Sequence, residues 1–402
     1  MATPDIAILV QQIDAVLQTQ PKLPDEERCQ LREAGRRLSL AMEIPVDSIH
    51  RIAYAVVGLA QVGIDLRLFE MIRDSVSSHA ELATKAKVDP VLMRRLLRYY
   101  QSVGMISQLD TDTFVANNVT NALASDMGRS GIYMQADVLG SSMLAFPQFL
   151  RSTNYRNPSN PNETAFHLGM QTDQDLFKWL ESHPNYSVNF NTWMSTQRET
   201  KPIFLDVLAF PSETGPSDES TVLFVDIGGS RGHQSIALRQ RYPDLLGRVI
   251  VQDIPHVVAE VTANPLPGFE SIEIMEHNMF TPQPLKSARA YYFRSVFHDW
   301  LDDKCREILE NLKVGMTGES LLLLDEMVVS ERDAPWRATL ADMTMAVALS
   351  AMERTEAEWR VLLDAAGLRM VKVLKYRAEL EDCVMVCAFE VEYLLSEIPD
   401  TK

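Results

Sequence analysis

Apolar residues change their spacing once along this chain. Up to about residue 200 they recur at helical intervals. Ile6, Leu9, Val10, Ile13 and Leu17 share one face, Pro21 and Pro24 end that run, and a second helix with one charged face is expected from about Glu26 to Met42. Ser48 to Ile72 is largely apolar, which predicts a long helix buried in this chain or against a partner. Residues 78–117 read as a helix-turn-helix with a wing. Ser78 caps its first helix, Asp89-Pro90 opens the second and Gly104 stops it. Met105-Ile106-Ser107 and Thr113-Phe114-Val115 then pair as a hairpin. Residues 118–200 are connecting helices around a loop at Asn154–Glu163. Their aromatics (Phe166, Phe177, Trp179, Tyr186, Phe190, Trp193) belong either to a core or to a cleft between domains.

From Thr221 onward, short apolar runs alternate with helical patterns. The runs are Val222–Val225, Val249–Val251, Ser271–Met275, Ala290–Phe293, Leu321–Leu324, Arg369–Tyr376 and Cys383–Glu390. Helices are expected at Asp303–Val314, Arg337–Leu349 and Thr355–Ala366, the last stopped by Gly367. This alternation predicts an α/β fold with a doubly wound, mostly parallel sheet. Ligands in such sheets bind beyond the carboxyl ends of the strands, and Asp226, Asp253, Asn278, His298 and Glu326 all fall there. The first strand turns through Asp226-Ile227-Gly228-Gly229-Ser230-Arg231-Gly232, where glycine lets the backbone approach a ligand closely. Asp253 ends the second strand and can accept hydrogen bonds from both hydroxyls of a ribose. Together these read as an adenosine-type cofactor site, without saying which cofactor. His298 suits proton removal near neutral pH. Glu326 and Glu353 are either its orienting carboxylates or surface charges.

Charge narrows the partners. The chain has 402 residues, enough for two domains, with 38 basic and 55 acidic residues and a net charge of −17. That argues against nonspecific binding to nucleic acid or an anionic membrane. Arg94, Arg95 and Arg98 are therefore read as part of a winged helix used for dimerisation and pocket closure, not for DNA. The four cysteines show no metal-ligand spacing, so buried free thiols in a reducing compartment are expected, and no metal. The first residues lack the pattern of a secretion signal, and no run reaches the roughly 18 apolar residues that span a bilayer. A cytoplasmic protein is expected.

Several stretches carry a family resemblance. VDIGGSRG at 225–232, QDIP at 252–255, NMF at 278–280, HDW at 298–300 and ERTEAEW at 353–359 resemble the plant and fungal class of S-adenosylmethionine-dependent O-methyltransferases. GLAQVGIDLRLFEMI, RRLLRYYQSVGMI and FNTWM at 190–194 extend the resemblance over roughly residues 50 to 392. It implies a homodimer with a helical, winged-helix-like dimerisation domain at 1–125, connecting helices lining the cleft at 126–205, and a Rossmann-like methyltransferase domain at 206–402. It implies S-adenosyl-L-methionine held by Asp226, Gly228, Gly229, Asp253, Ile254, Asn278, Met279, Phe280 and Arg294. His298 would be the general base flanked by Glu326 and Glu353, with Phe190, Met194, Arg198, Trp300 and Met345 at the substrate. The implied reaction methylates a hydroxyl of a small aromatic, polyketide or alkaloid-like metabolite, once His298 has removed its proton. Three departures stand out: Asn278 where Asp is usual, Ser230-Arg231 where a third glycine is common, and Arg198. They keep an alternative open, the methyltransferase-like pericyclases of fungi, which catalyse dehydration or cycloaddition without methyl transfer. In those the base is often replaced by a cation, whereas here His298 is retained.

Overall fold

The computed structural model describes residues 5–19, 23–43, 56–196 and 202–389. The chain divides into two compact units, Met1–Val56 and Val57–Lys402. The first contains the helices Ile6–Thr19 and Asp25–Met42, close to their expected bounds. Ile6, Ile8, Val10, Leu17 and Met42 are exposed on them. The single long helix expected over Ser48–Ile72 is not continuous. Part of it lies outside the described residues, and the rest forms two helices, Val56–Asp65 and Leu68–Asp74. Arg67 breaks them with a left-handed φ of 52°. The break lets Ala60 and Ile64 from one helix and Leu68, Phe69 and Ile72 from the next enter one core.

The winged helix forms as its caps predict. Ser78 and Glu81 close a capping box on the helix His79–Ala86, and the Asp89 side chain caps Pro90–Ser102. The small sheet orders β1 (Ser77–Ser78), β3 (Thr113–Val115) and β2 (Ser107–Asp110). Helices from Asn118 to Thr196 follow, including a π-helical segment at Met134–Leu139. Phe166 and Trp179 are buried there and serve as core, while Tyr186 and Phe190 pack half-buried against their cluster.

The large sheet comprises β4 (Val222–Ile227), β5 (Arg248–Asp253), β6 (Glu273–Glu276), β7 (Ala290–Arg294), β8 (Leu321–Val329), β10 (Leu368–Arg377) and β11 (Asp382–Phe389), with β9 (Arg354–Thr355) beside β8. Its order is β10-β11-β8-β7-β4-β5-β6. From β8 to β6 the pairing is parallel, and β11 is antiparallel to both neighbours. Val225, Ile227, Tyr291, Phe293, Leu322 and Leu324 fill the core on one face, while Phe224, Tyr292, Leu321 and Leu323 fill the other. This is the strand alternation of a sheet covered on both faces.

The end of one strand bears on the site. β8 does not end at Asp325-Glu326 but continues to Val329, because β11 pairs with it as far as Met327, Cys383 opposite Glu326 and Asp382 opposite Met327, and β9 then pairs with Val328 and Val329. β7, on its other side, ends with Arg294 opposite Asp325. Glu326 therefore sits within a strand, one residue past the end of its parallel neighbour.

Phe224 tests this core. It is fully buried, with the rings of Tyr292, Phe210 and Phe204 at 5.1, 5.6 and 6.1 Å. Phe224→Ala is expected to lower unfolding free energy by about 3–5 kcal/mol in denaturant titrations. A loss below about 1 kcal/mol would show that the face is not closely packed.

Candidate active site

β7 ends at Arg294, and the chain then bends sharply at Ser295, whose φ is 51°. A 3-10 turn, Phe297–Asp299, follows and carries His298. Two carboxylates from distant segments meet this turn in different ways. Glu353 is 5% exposed, and its Oε1 lies 2.7 Å from His298 Nδ1. Glu326 was expected to orient the imidazole, but its Oε1 instead accepts the backbone N–H groups of Val296 and Phe297, both at 2.8 Å. It still belongs to the cluster, since ligand atoms of His298, Glu326 and Glu353 lie within 4.8 Å of one another. The second oxygens, Glu326 Oε2 and Glu353 Oε2, are buried without a hydrogen-bond partner among the described residues. Asp299 Oδ1 stands 3.6 Å from His298 Nε2.

This arrangement changes the proton affinity of both groups. Burial disfavours an imidazolium, yet Glu353, Asp299 and Glu326 outweigh it and raise the His298 pKa to about 10. Burial, reinforced by Glu353 and opposed by His298, raises Glu326 to about 7. With Nδ1–H donated to Glu353, Nε2 is the nitrogen left to exchange a proton with a ligand.

The glycine turn forms the other half of the site. Gly228 has φ of 69°, and its N–H donates to the Gln252 carbonyl at 2.8 Å. A Cβ on Gly229 would come within 2.6 Å of Asp226 Cγ, so only glycine fits over that carboxyl. Asp226 itself is buried, accepts the Ser235 hydroxyl at 2.8 Å and is raised to about 7 by burial. It supports the turn from inside the fold. Ser230, in the place of a third glycine, adopts φ of 49° and donates its N–H to Asp253 Oδ2 at 2.8 Å. Asp253 Oδ1 accepts the N–H of Ile254, also at 2.8 Å. Each oxygen keeps a second lone pair, so the carboxylate can still receive a ribose diol. Arg231 reaches away to the Asn264 carbonyl. The turn thus accommodates Ser230-Arg231 and still fits an adenosine-type cofactor.

The remaining predicted residues divide into three groups. Asn278 is exposed after β6, and its Oδ1 accepts the Phe280 N–H at 3.1 Å; Met279 and Phe280 are half-buried beside it. Phe280 meets Trp300 edge to face at 4.8 Å, so Trp300, expected at the substrate, packs with the segment expected at the cofactor. Arg294 is mostly buried, with Nε 3.9 Å from Asp325. Met345 is half-buried on the helix Trp336–Leu349, and Phe190 lies against Phe177 and the aromatic cluster. Met194 is 44% exposed. Arg198 lies outside the described residues. The sequence reading missed two supports. Gln252 and Gln283 exchange two amide hydrogen bonds of 2.9 Å beneath the turn, and Asp342 accepts the backbone N–H of Glu353 at 3.0 Å. Neither has a local sequence signal, because each partner comes from another element.

The chain is similar to several known proteins. A family model described as an O-methyltransferase domain matches residues 172–369. O-methyltransferase ucdC of Aspergillus ustus is 37% identical over 87% of this chain and 91% of its own. O-methyltransferase lepI of Aspergillus flavus is 35% identical over 90% of this chain and 94% of its own. A solved structure of LepI in complex with SAM has a TM-score of 0.89 over 96% of this chain and all of that one. A structure described as a pericyclic reaction enzyme, 34% identical, has a TM-score of 0.88 over 96% of this chain and 99% of that one.

Glu353 is the strongest electrostatic partner of His298, which sets the sign of a test. Glu353→Gln removes a negative charge from the imidazolium, so the His298 midpoint in an NMR pH titration should fall from about 10 toward its ordinary value. A midpoint unmoved by that change would mean that the pair does not control the proton.

Proposed function

The chain belongs to the O-methyltransferase family, and on that premise we propose that it methylates a hydroxyl of a small secondary metabolite, with S-adenosyl-L-methionine as donor and His298 as general base. The observation that carries this reading is the 2.7 Å His298–Glu353 pair, placed at the carboxyl end of the sheet beside a glycine turn suited to an adenosine cofactor. When bound, the cofactor supplies an electrophilic methyl group on a sulfonium.

The chain's own residues then have four tasks. Gly228, Asp253, Ile254, Met279 and Phe280 hold and orient the cofactor, and Arg294 contributes charge near the end of β7. Phe190, Met194, Trp300 and Met345 enclose an apolar acceptor, and Arg198 is assigned to the cofactor carboxylate or a substrate carbonyl. That enclosure excludes water, and alignment of the reacting atoms supplies most of the rate. His298 Nε2 takes the hydroxyl proton while Glu353 stabilises the imidazolium that forms. Since His298 carries a proton in the free site, it must first lose it. Entry of a second positive charge into the cleft favours that loss, because like charges depress an imidazolium pKa. We also assign residues 1–125 to dimerisation, 126–205 to the cleft and 206–402 to cofactor binding, in a cytoplasmic homodimer. Among the described residues, no helix is long and apolar enough to cross a membrane.

A second reading is favoured by the same proton. A His298 imidazolium is a hydrogen-bond donor that can polarise a substrate carbonyl, which suits a pericyclic reaction without methyl transfer. The similarity to a pericyclic reaction enzyme supports it.

Incubation with methyl-labelled S-adenosylmethionine and candidate phenols or enols separates the two. Methyl transfer predicts labelled product and equimolar S-adenosylhomocysteine. His298→Gln should then lower turnover about 10²–10⁴-fold with cofactor affinity retained. Turnover without S-adenosylhomocysteine would replace the first reading by the second, and unchanged turnover in His298→Gln would remove His298 from the chemistry.

A further inference from the structure

Arg354 follows Glu353 directly and is 1% exposed. Its guanidinium uses the whole fork on one short stretch of chain. Nη1 donates to the Phe297 carbonyl at 3.1 Å and Nη2 to the Trp300 carbonyl at 2.9 Å. Nε and Nη2 both donate to Asp302 Oδ1, at 3.0 and 2.7 Å. The indole of Trp359 lies 5.3 Å from the guanidinium carbon. The Cys305 thiol adds contacts of 3.4 Å to the same two carbonyls.

Those two carbonyls bracket His298. The turn is therefore gripped at three points: its N–H end by Glu326, its imidazole by Glu353, and its carbonyl end by Arg354. Two of the three grips are consecutive residues, and Arg354 is itself fixed, opposite Val328 in the β8–β9 pairing. A buried ion pair is a poor device for stability alone, since an apolar residue of similar size often serves as well. Asp302, the guanidinium's counter-ion, is moreover 60% exposed, so the pair is only half desolvated. What an apolar residue cannot supply is a rigid fork that holds two carbonyls and a carboxylate at set angles.

We propose that Arg354 is a positioning residue: its fork fixes the Phe297–Trp300 turn so that the His298 ring meets Glu353 in the orientation that leaves Nε2 facing the cleft. The proposal rests on His298 as the reacting base, but its test reads the imidazole of the protein without cofactor or substrate. A failure of methyl transfer therefore leaves the test able to decide.

The groups around the imidazole make the sign of the outcome diagnostic. Glu353, Glu326 and Asp299 face it with negative charge, and Arg354 with Asp302 lies across the turn. If Arg354 acts only as a charge, Arg354→Gln removes a cation, leaves Asp302 uncompensated and raises the His298 midpoint, while Arg354→Lys leaves it in place. If Arg354 positions the turn, both variants loosen the His298–Glu353 contact and lower the midpoint, because Lys cannot hold both carbonyls. The experiment is an NMR pH titration of the His298 ring in wild type, Arg354→Lys and Arg354→Gln, with S-adenosylmethionine affinity by calorimetry as a control on the fold. The expected result is a downward shift of at least about one pH unit in both variants, with cofactor affinity within a few-fold of wild type. A midpoint that rises in Arg354→Gln, or stays in place in Arg354→Lys, overturns the proposal. If Arg354→Gln does not fold, Arg354→Lys decides. If neither folds, Arg354 is a core residue and the proposal fails.

Discussion

The contact between His298 Nδ1 and Glu353 Oε1, 2.7 Å long, joins two residues 55 positions apart in sequence, and most of the site exists to hold it. Glu326 binds the backbone just before His298, Arg354 the backbone on either side of it, and Asp342 the backbone of Glu353. Burial makes each of these groups costly unless it is paired. The cost is met by pairing charges with backbone dipoles, except at two buried carboxylate oxygens, Glu326 Oε2 and Glu353 Oε2, that have no hydrogen-bond partner among the described residues. A site with two buried acids and one imidazole retains a proton on the imidazole. In the proposed reaction it would act as a base only when something changes that balance.

The cofactor half of the site is simpler. It depends on backbone geometry, with Gly228 and Ser230 in left-handed conformations and Gly229 pressed on Asp226. Ser230 shows that a side chain is tolerated where its N–H can reach Asp253. Arg231 leaves the turn altogether. The departures at 230 and 231 therefore alter the rim of the turn and preserve the cradle. This is why the cofactor class follows from the glycine turn while the two proposed reactions are separated by the proton on His298.

Much of this was legible before the fold was known. Strand positions followed from compact apolar runs, helix starts from Ser78, Asp89 and Thr355, and the candidate site from acids and a histidine collected near strand ends. What escaped was set by long-range pairing. The extension of β8 past Glu326 depends on β11 and β9, and the break at Arg67 on the core that both flanking helices share. The burial of Arg354 has no local signal, because a charged residue in isolation reads as exposed. The edge contact of Trp300 with Phe280 arises only when the segments after β6 and β7 fold together.

The central claim is that the carboxylate cluster keeps His298 protonated until positive charge enters the cleft. Titration calorimetry in buffers of different ionisation enthalpy counts the protons released on binding. S-adenosylmethionine and S-adenosylhomocysteine differ there mainly by the sulfonium charge. At about pH 8, between the ordinary and the raised imidazole range, the account predicts more proton release with the sulfonium than with the thioether. It also predicts that His298→Gln abolishes the difference. Equal proton release with the two ligands in the wild-type protein would contradict it.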